Sequence, residues 1–173
     1  MTHIPKPPAN EYAPYTIAYI AQVPDDGRVL EHLKHNVEVI KQHIMALPEE
    51  KLATPCAPGE WTVKEILVHI MDSERVFAYR ALRVARNDMT PLPGFEQEDY
   101  VPHSNANARS LDSIFAEYAA IRAATLTFFD SLDDAAWLRI GTASHNPVSV
   151  RASAFIIAGH ELYHLASIKQ NYG

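Results

Sequence analysis

Cysteine occurs once in this chain, at Cys56, so no disulfide can close within it. A disulfide-stapled secreted scaffold is excluded, and a lone thiol suits a reducing cytosol. No uninterrupted apolar run approaches the ~20 residues a membrane-spanning helix needs. The opening stretch, MTHIPKPPANEYAPY, has no apolar core of a signal peptide. The expectation is a cytoplasmic protein without a membrane partner. A basic excess is also missing: 15 Lys and Arg stand against 21 Asp and Glu, a net charge of −6. Nucleic acid selects basic faces and is therefore not an expected partner. No segment alternates with strand period over a useful length, although the arm or loops leave room for a short pairing, and no internal repeat is visible. Cys56, close to Pro55 and Pro58, reads as incidental rather than as a nucleophile.

What the chain does have is helical patterning. Its 173 residues, 47% hydrophobic and 21% charged, suffice for one globular domain. Residues 1–24 carry Pro5, Pro7, Pro8, Pro14 and Pro24 and are expected to form an extended arm, with Tyr12, Tyr15, Ile17, Tyr19 and Ile20 to bury against the domain at 25–173. A first helix is predicted from Asp25 or Asp26, as its cap, to Leu47, with Leu30, Leu33, Val37, Ile40, Ile44 and Leu47 as its seam. His32, His35 and His43 fall off that seam and read as solvated. Thr62 with Glu65 makes a capping box for a second helix running to about Asn87. Residues 88–107 form a long ordered loop, a lid or a crossover, anchored by Phe95, Tyr100 and Val101 and carrying His103. A third helix, about Ala108 to Leu132, repeats Leu111, Ile114, Phe115, Tyr118, Ile121, Thr125, Phe128 and Leu132 as pure core. After a second connection at 133–148, a fourth helix runs from about Ser149 to Asn171. The fold class is all-α, a four-helix bundle with longer connections.

That fourth helix contains His160-Glu161-Leu162-Tyr163-His164. Two histidines four apart lie about 40° apart around a helix and about 6 Å apart along it, so both can reach one metal ion. Such a site needs a third ligand to hold the ion and leave a position open. Only Leu165 to Gly173 follow, without His, Asp, Glu or Cys, so the downstream ligand of a zinc protease is absent. The third ligand must come from upstream, and His69, at the edge of the second helix's apolar face, is the best candidate. Neutral imidazoles suit zinc, nickel or iron. Around this centre the roles stay open. Glu161 is a general base, an acceptor for an imidazole N–H, or a partner in a surface ion pair. Arg80, on the same side of its helix as His69, either binds an anionic substrate or pairs with Asp72 or Glu74. Tyr163 either lines a pocket or packs.

The segment Pro58 to His69, followed by Asp72, Ser73, Glu74 and Arg75, the loop Pro91 to Phe95, and Gly159 to His164 together resemble the DinB/YfiT-like superfamily of metalloenzymes, in its DinB-like domain. The resemblance implies a four-helix bundle with crossover connections and a divalent transition metal held by His69, His160 and His164. It also implies a hydrolase or a thiol-dependent transferase or isomerase, acting on a small molecule that includes or uses a low-molecular-weight thiol. Others of the family have only a stress or damage-inducible association, so a non-enzymatic metal- or ligand-binding role is the alternative. Family bundles often pair, which allows a homodimer. Many members carry a histidine where this chain has Tyr163, a change expected to fall on a non-ligand.

Overall fold

The structure, a computed structural model, describes residues 3–173. Four long helices carry it: α1 (Val29–Met45), α2 (Val63–Ala85), α3 (Leu111–Asp130) and α4 (Val150–Tyr172). Helix α4 packs on α2 and α1, and α3 packs on the same two. Helices α1 and α2 therefore stand diagonally opposed, as do α3 and α4. The chain crosses the bundle over residues 46–62 and again over 131–149, while the long stretch 86–110 links neighbours. The expected crossover bundle is present, and the loop at 88–107 is not one of its crossings.

Local chemistry sets most of the helix starts. Thr62 accepts from Glu65 N at 3.2 Å and Glu65 returns a bond from Thr62 N at 2.8 Å, the predicted capping box. Ser110 and Ser149 cap α3 and α4 through Ser113 N and Ala152 N. The predicted Asp cap of α1 is not made. Gly27 takes a φ of 75°, which turns the chain, so Asp26 accepts from Arg28 N at 3.0 Å and faces His32, and α1 starts at Val29. The solvated reading of His32 thus gives way to a hydrogen-bonding contact with Asp26, Nε2 lying 3.0 Å from its carboxylate.

Two further expectations are corrected. The arm, whose first two positions lie outside the described residues, is not extended throughout: Ala9–Glu11 and Pro14–Thr16 form 3-10 turns, and Ile17–Ile20 a single helical turn. Proline bars a long helix yet suits the first position of a short one. In α3 the inward stripe drifts, as a period of 3.6 requires. Arg122 and Phe129 are buried, where Ile121 and Phe128 are only partly covered. The long loop also holds a helical turn, Gln97–Tyr100, and Tyr100 stays 45% exposed, so Val101 rather than Tyr100 anchors it. The short pairing left open for the loops is a hairpin, β1 (Ile140–Ala143) with β2 (Asn146–Ser149). Its two-residue turn places Ser144 and His145 at φ of 50° and 63°, the left-handed conformation that such turns demand and that non-glycine residues adopt at a cost.

The apolar interior divides into two clusters. One joins Val29, Leu33, Phe77, Val84, Phe129 and Phe155 with the arm and hairpin. The other joins Val37, Ile44, Leu67, Ile114, Phe115 and Ile168. Between them each long helix contributes buried polar side chains: Asn36, Ser73 with Glu74, Arg122, and His160 with Glu161. The arm closes over one side of this layer. Ile4 N donates to Gly27 O at 3.0 Å, Arg151 Nε to Glu11 at 2.7 Å, and the Tyr19 backbone lies directly on Gly159.

A Cβ at Gly159 would fall 1.9 Å from the Tyr19 carbonyl oxygen. Gly159→Ala is therefore expected to push the arm off α4 and lower stability by about 1–3 kcal/mol. A denaturation midpoint unchanged from wild type, with no added proteolysis before residue 24, would contradict this packing.

Candidate metal centre

His69 projects from α2 in the turn before Ser73, and His160 and His164 from successive turns of α4. The Nε2 atoms of His69 and His160 lie 3.0 Å apart, and those of His164 and His160 lie 3.1 Å apart. A ligand atom of each lies within 4.8 Å of the others, and no further His, Cys, Asp or Glu joins the group among the described residues. His32, His35, His103 and His145 stay outside it.

These separations suit a cation. Nitrogens at about 2.0–2.1 Å from one ion in a tetrahedral shell stand roughly 3.3 Å apart. Burial holds the imidazoles neutral: desolvation lowers His69 to about 3, with His164 adding to the effect, and lowers His164 to about 4. His160 lies well below its ordinary value, from burial first and then from the other two rings. Neutral rings offer lone pairs rather than protons at pH 7. With these three donors and no fourth His, Cys, Asp or Glu beside them among the described residues, an ion held here would keep a position free for water or substrate.

Aromatic rings fix the imidazoles. Trp61 lies 4.9 Å from His69, Tyr19 stands edge-on to His160 at 5.0 Å, and Tyr163 packs at 5.3 Å on Tyr19 and at 5.7 Å on His164. Tyr163 is thus a half-exposed packing partner of a candidate ligand. Tyr19 and Trp61 were not singled out as site residues. Their ring chemistry was visible, but their place beside the histidines depends on the arm's route and on the turn before α2.

Glu161 turns elsewhere. It is fully buried and accepts from Asn36 Nδ2 at 2.8 Å, from Arg122 Nη2 at 2.6 Å and from the Tyr118 hydroxyl. Arg122 grips Glu74 with two bonds of 2.9 Å and also donates to the Leu33 carbonyl. Burial raises the Glu161 carboxyl, and Arg122 opposes that rise. No imidazole nitrogen bonds to Glu161 among the described residues. Tyr118, expected to be pure core, is in this network, and Arg122 was missed because the stripe was drawn through Ile121.

Arg80 pairs with neither Asp72 nor Glu74, since Asp72 faces Arg75 at 3.3 Å and Glu74 faces Arg122. It is buried, and its Nη2 donates to Pro93 O at 2.9 Å and to Ser144 Oγ at 3.1 Å. Arg80 and His160 line one cavity of about 470 Å³, walled by Tyr15 and Tyr19 of the arm, Phe95 of the loop, and Ser144 and His145 of the hairpin. His164 borders a second cavity of about 320 Å³ with Cys56, Trp61 and Tyr172.

A crossed four-helix bundle with three converging imidazoles open to a cavity is the class that fold and site define. Residues 29–168 match the sequence profile of the DinB superfamily, and the chain belongs to that family. A protein of Oceanobacillus iheyensis, named provisionally as a metal-dependent hydrolase, is 26% identical over 145 residues, 81% of this chain and 81% of its own. YfiT from Bacillus subtilis, described as a probable metal-dependent hydrolase with an unusual four-helix bundle topology, superposes with a TM-score of 0.75 at 14% identity, over 96% of this chain and 91% of its own. The mycothiol-dependent maleylpyruvate isomerase superposes with a TM-score of 0.68 at 9% identity, over 89% of this chain and 62% of its own. At these identities the two structures share the fold. No helix among the described residues is long and apolar enough to cross a membrane.

Two measurements bear on this layer. A histidine whose pKa is lower folded than unfolded binds more protons when unfolded, so its contribution is intact above about pH 6.5 and is lost as pH falls through the folded value. Chelator-treated protein should therefore lose stability steadily from about pH 6.5 toward 4, less so in a His69→Gln/His164→Gln variant. A denaturant midpoint flat across that range would disagree. Arg122→Leu strands two buried carboxylates and should cost about 3–5 kcal/mol. A loss near zero would mean that the network carries no load.

Proposed function

We propose that this protein is a metal-dependent enzyme acting on a small molecule in the cytosol, with His69, His160 and His164 as the ligands of one divalent ion. The observation that carries the reading is the meeting of three neutral imidazole nitrogens at 3.0 and 3.1 Å beside a cavity of about 470 Å³. That volume falls in the range of small-molecule sites, and it favours an enzyme over a closed storage or sensor site. Zinc and nickel suit the imidazole donors, as does iron. A divalent ion held there supplies an activated water or thiolate and polarises a substrate oxygen.

The rest of the reading concerns the chain's own side chains. The three imidazoles stay unprotonated at neutral pH because they are buried, so they are ready to coordinate without losing a proton first. Trp61, Tyr19 and Tyr163 keep the rings from rotating away and screen them from bulk water. Glu161 is assigned no proton-transfer role, since Arg122, Tyr118 and Asn36 occupy both its oxygens. It sets the rotation of α4, and so the aim of His160 and His164.

Hydrolysis is the reaction type favoured by the family's provisionally named members. A thiol-dependent transfer is the second reading. It is favoured by the separate cavity of about 320 Å³ at His164, which gives a second small molecule its own place beside the histidines.

Elemental analysis of tag-free protein prepared without chelator should find about one divalent ion per chain. His69→Ala should lose it and His103→Ala should keep it. Full retention in the His69 variant would overturn the ligand set. Simple ester and amide hydrolysis, and adduct formation with low-molecular-weight thiols, should both be screened, and any activity found should vanish on metal stripping and return on reloading. Activity that survives stripping would overturn the metal-dependent reading.

A further inference from the structure

Arg80 is 5% exposed, yet no carboxylate lies within ion-pair distance of it among the described residues. A guanidinium carries five N–H groups. Its Nη2 donates to Pro93 O and Ser144 Oγ, and neither Nε nor Nη1 donates to anything described. The rings of Phe77 and Phe95 flank it, each 5.6 Å away. Burying a cation without a counter-charge is costly, and the other buried arginine of the bundle, Arg122, satisfies two carboxylates. Arg80 differs in that it borders a cavity rather than a helix.

A second observation points into the same space. Ser73 is 2% exposed and lines the cavity, and its hydroxyl makes no hydrogen bond among the described residues. A helical serine ordinarily returns its hydroxyl to the carbonyl four residues back, as Ser153 does to Ser149 O at 3.1 Å. His69, Ser73, Phe77 and Arg80 succeed one another at spacings of four, four and three along α2, so they form one row. The backbone positions of His69 and Arg80 stand about 16 Å apart along the helix axis, and Arg80 shares its cavity with His160.

We propose that the cavity binds a small molecule bearing a carboxylate, with Arg80 receiving the carboxylate, Ser73 hydrogen-bonding its middle, and its other end directed at the three histidines. The carboxylate follows from the charge inventory. Arg80 is the only lysine or arginine lining the cavity, and Glu96 also faces it from the exposed loop. One guanidinium balances a monoanion, whereas a phosphate dianion would meet a single cation and a nearby acid. Ser144 helps to set this end: its left-handed φ of 50° places its oxygen under Arg80, with Gly94 packed against it. The guanidinium is thereby held in place before the ligand arrives. Only the direction of the reacting end rests on the metal-centre reading. The carboxylate subsite stands apart from it.

The test uses two probe pairs on the full chain. In metal-stripped protein, 4-phenylbutanoate should bind about tenfold or more tightly than 4-phenylbutanamide by calorimetry, as a charge-assisted contact requires. The preference should disappear in Arg80→Gln and persist in part in Arg80→Lys. Equal affinities in wild type would overturn the proposal. Should Arg80→Gln not fold, the Arg80 Nε resonance of wild type decides: it should move with the carboxylate and not with the amide, and a resonance that moves with neither overturns the subsite. In metal-loaded protein, the best of the monohydroxamates of succinic to sebacic acid should bind more tightly than the alkyl hydroxamate of equal length, and Arg80→Gln should remove that gain while the affinity of the alkyl hydroxamate stays. A gain that survives in Arg80→Gln would overturn the proposed direction. Failure to take up metal would sink the metal reading, while the stripped-protein pair would still decide the carboxylate.

Discussion

Arg122 is the pin of this bundle. It lies between the two apolar clusters and satisfies Glu74 of α2, Glu161 of α4 and a carbonyl of α1 from a position on α3. Ionic groups this deep are tolerated only when every partner is in place. The network therefore specifies how the four helices are rotated, which apolar packing alone leaves loose. Glu161 is next in sequence to His160, and Glu74 is next to Ser73, so fixing the carboxylates fixes the face each helix turns toward the cavity. The site is the other half of the same polar layer.

The bundle forms one side of the cavity, with Ser73, Phe77 and Arg80 of α2 and His160 of α4, and the rest of its walls come from outside the bundle. The arm supplies Tyr15 and Tyr19, the loop after α2 supplies Phe95, and the hairpin supplies Ser144 and His145. The loop and hairpin are stitched to each other, with Leu92 N donating to Thr142 O at 2.9 Å and Ser144 N to Leu92 O at 3.0 Å. This division is common in helical proteins: rigid helices hold the reactive side chains, and variable connections shape what can reach them. The strained turn at Ser144 and His145 fits that division, since strain tends to persist where surrounding structure holds a side chain to a task.

Much of the bundle was legible from local chemistry. The capping box at Thr62 and the H-E-x-x-H spacing act over a single turn or two, and periodicity needs no knowledge of partners. Legibility failed where a choice depended on distant groups. Arg122 was passed over because an arginine beside Ile121 looks solvated until two carboxylates from other helices are brought to it. Glu161 was open between a base and a structural partner because H-E-x-x-H places it between two candidate ligands, but a helix turns about 100° per residue, and that is enough to aim it at α1 and α3 instead. Asp26 looked like a cap until Gly27 bent the chain before the helix began.

The sequence by itself determined that the chain is helical and that two imidazoles four residues apart share a helix face, because these follow from short-range stereochemistry and period. Only the tertiary structure decided that His69 meets His160 and His164 from a neighbouring helix, that Glu161 serves Arg122, and that Arg80 faces a cavity with no carboxylate at ion-pair distance among the described residues. Each of those depends on which helices are neighbours. That order is set by two diagonal crossings and a buried ionic layer, and neither leaves a local trace in the chain.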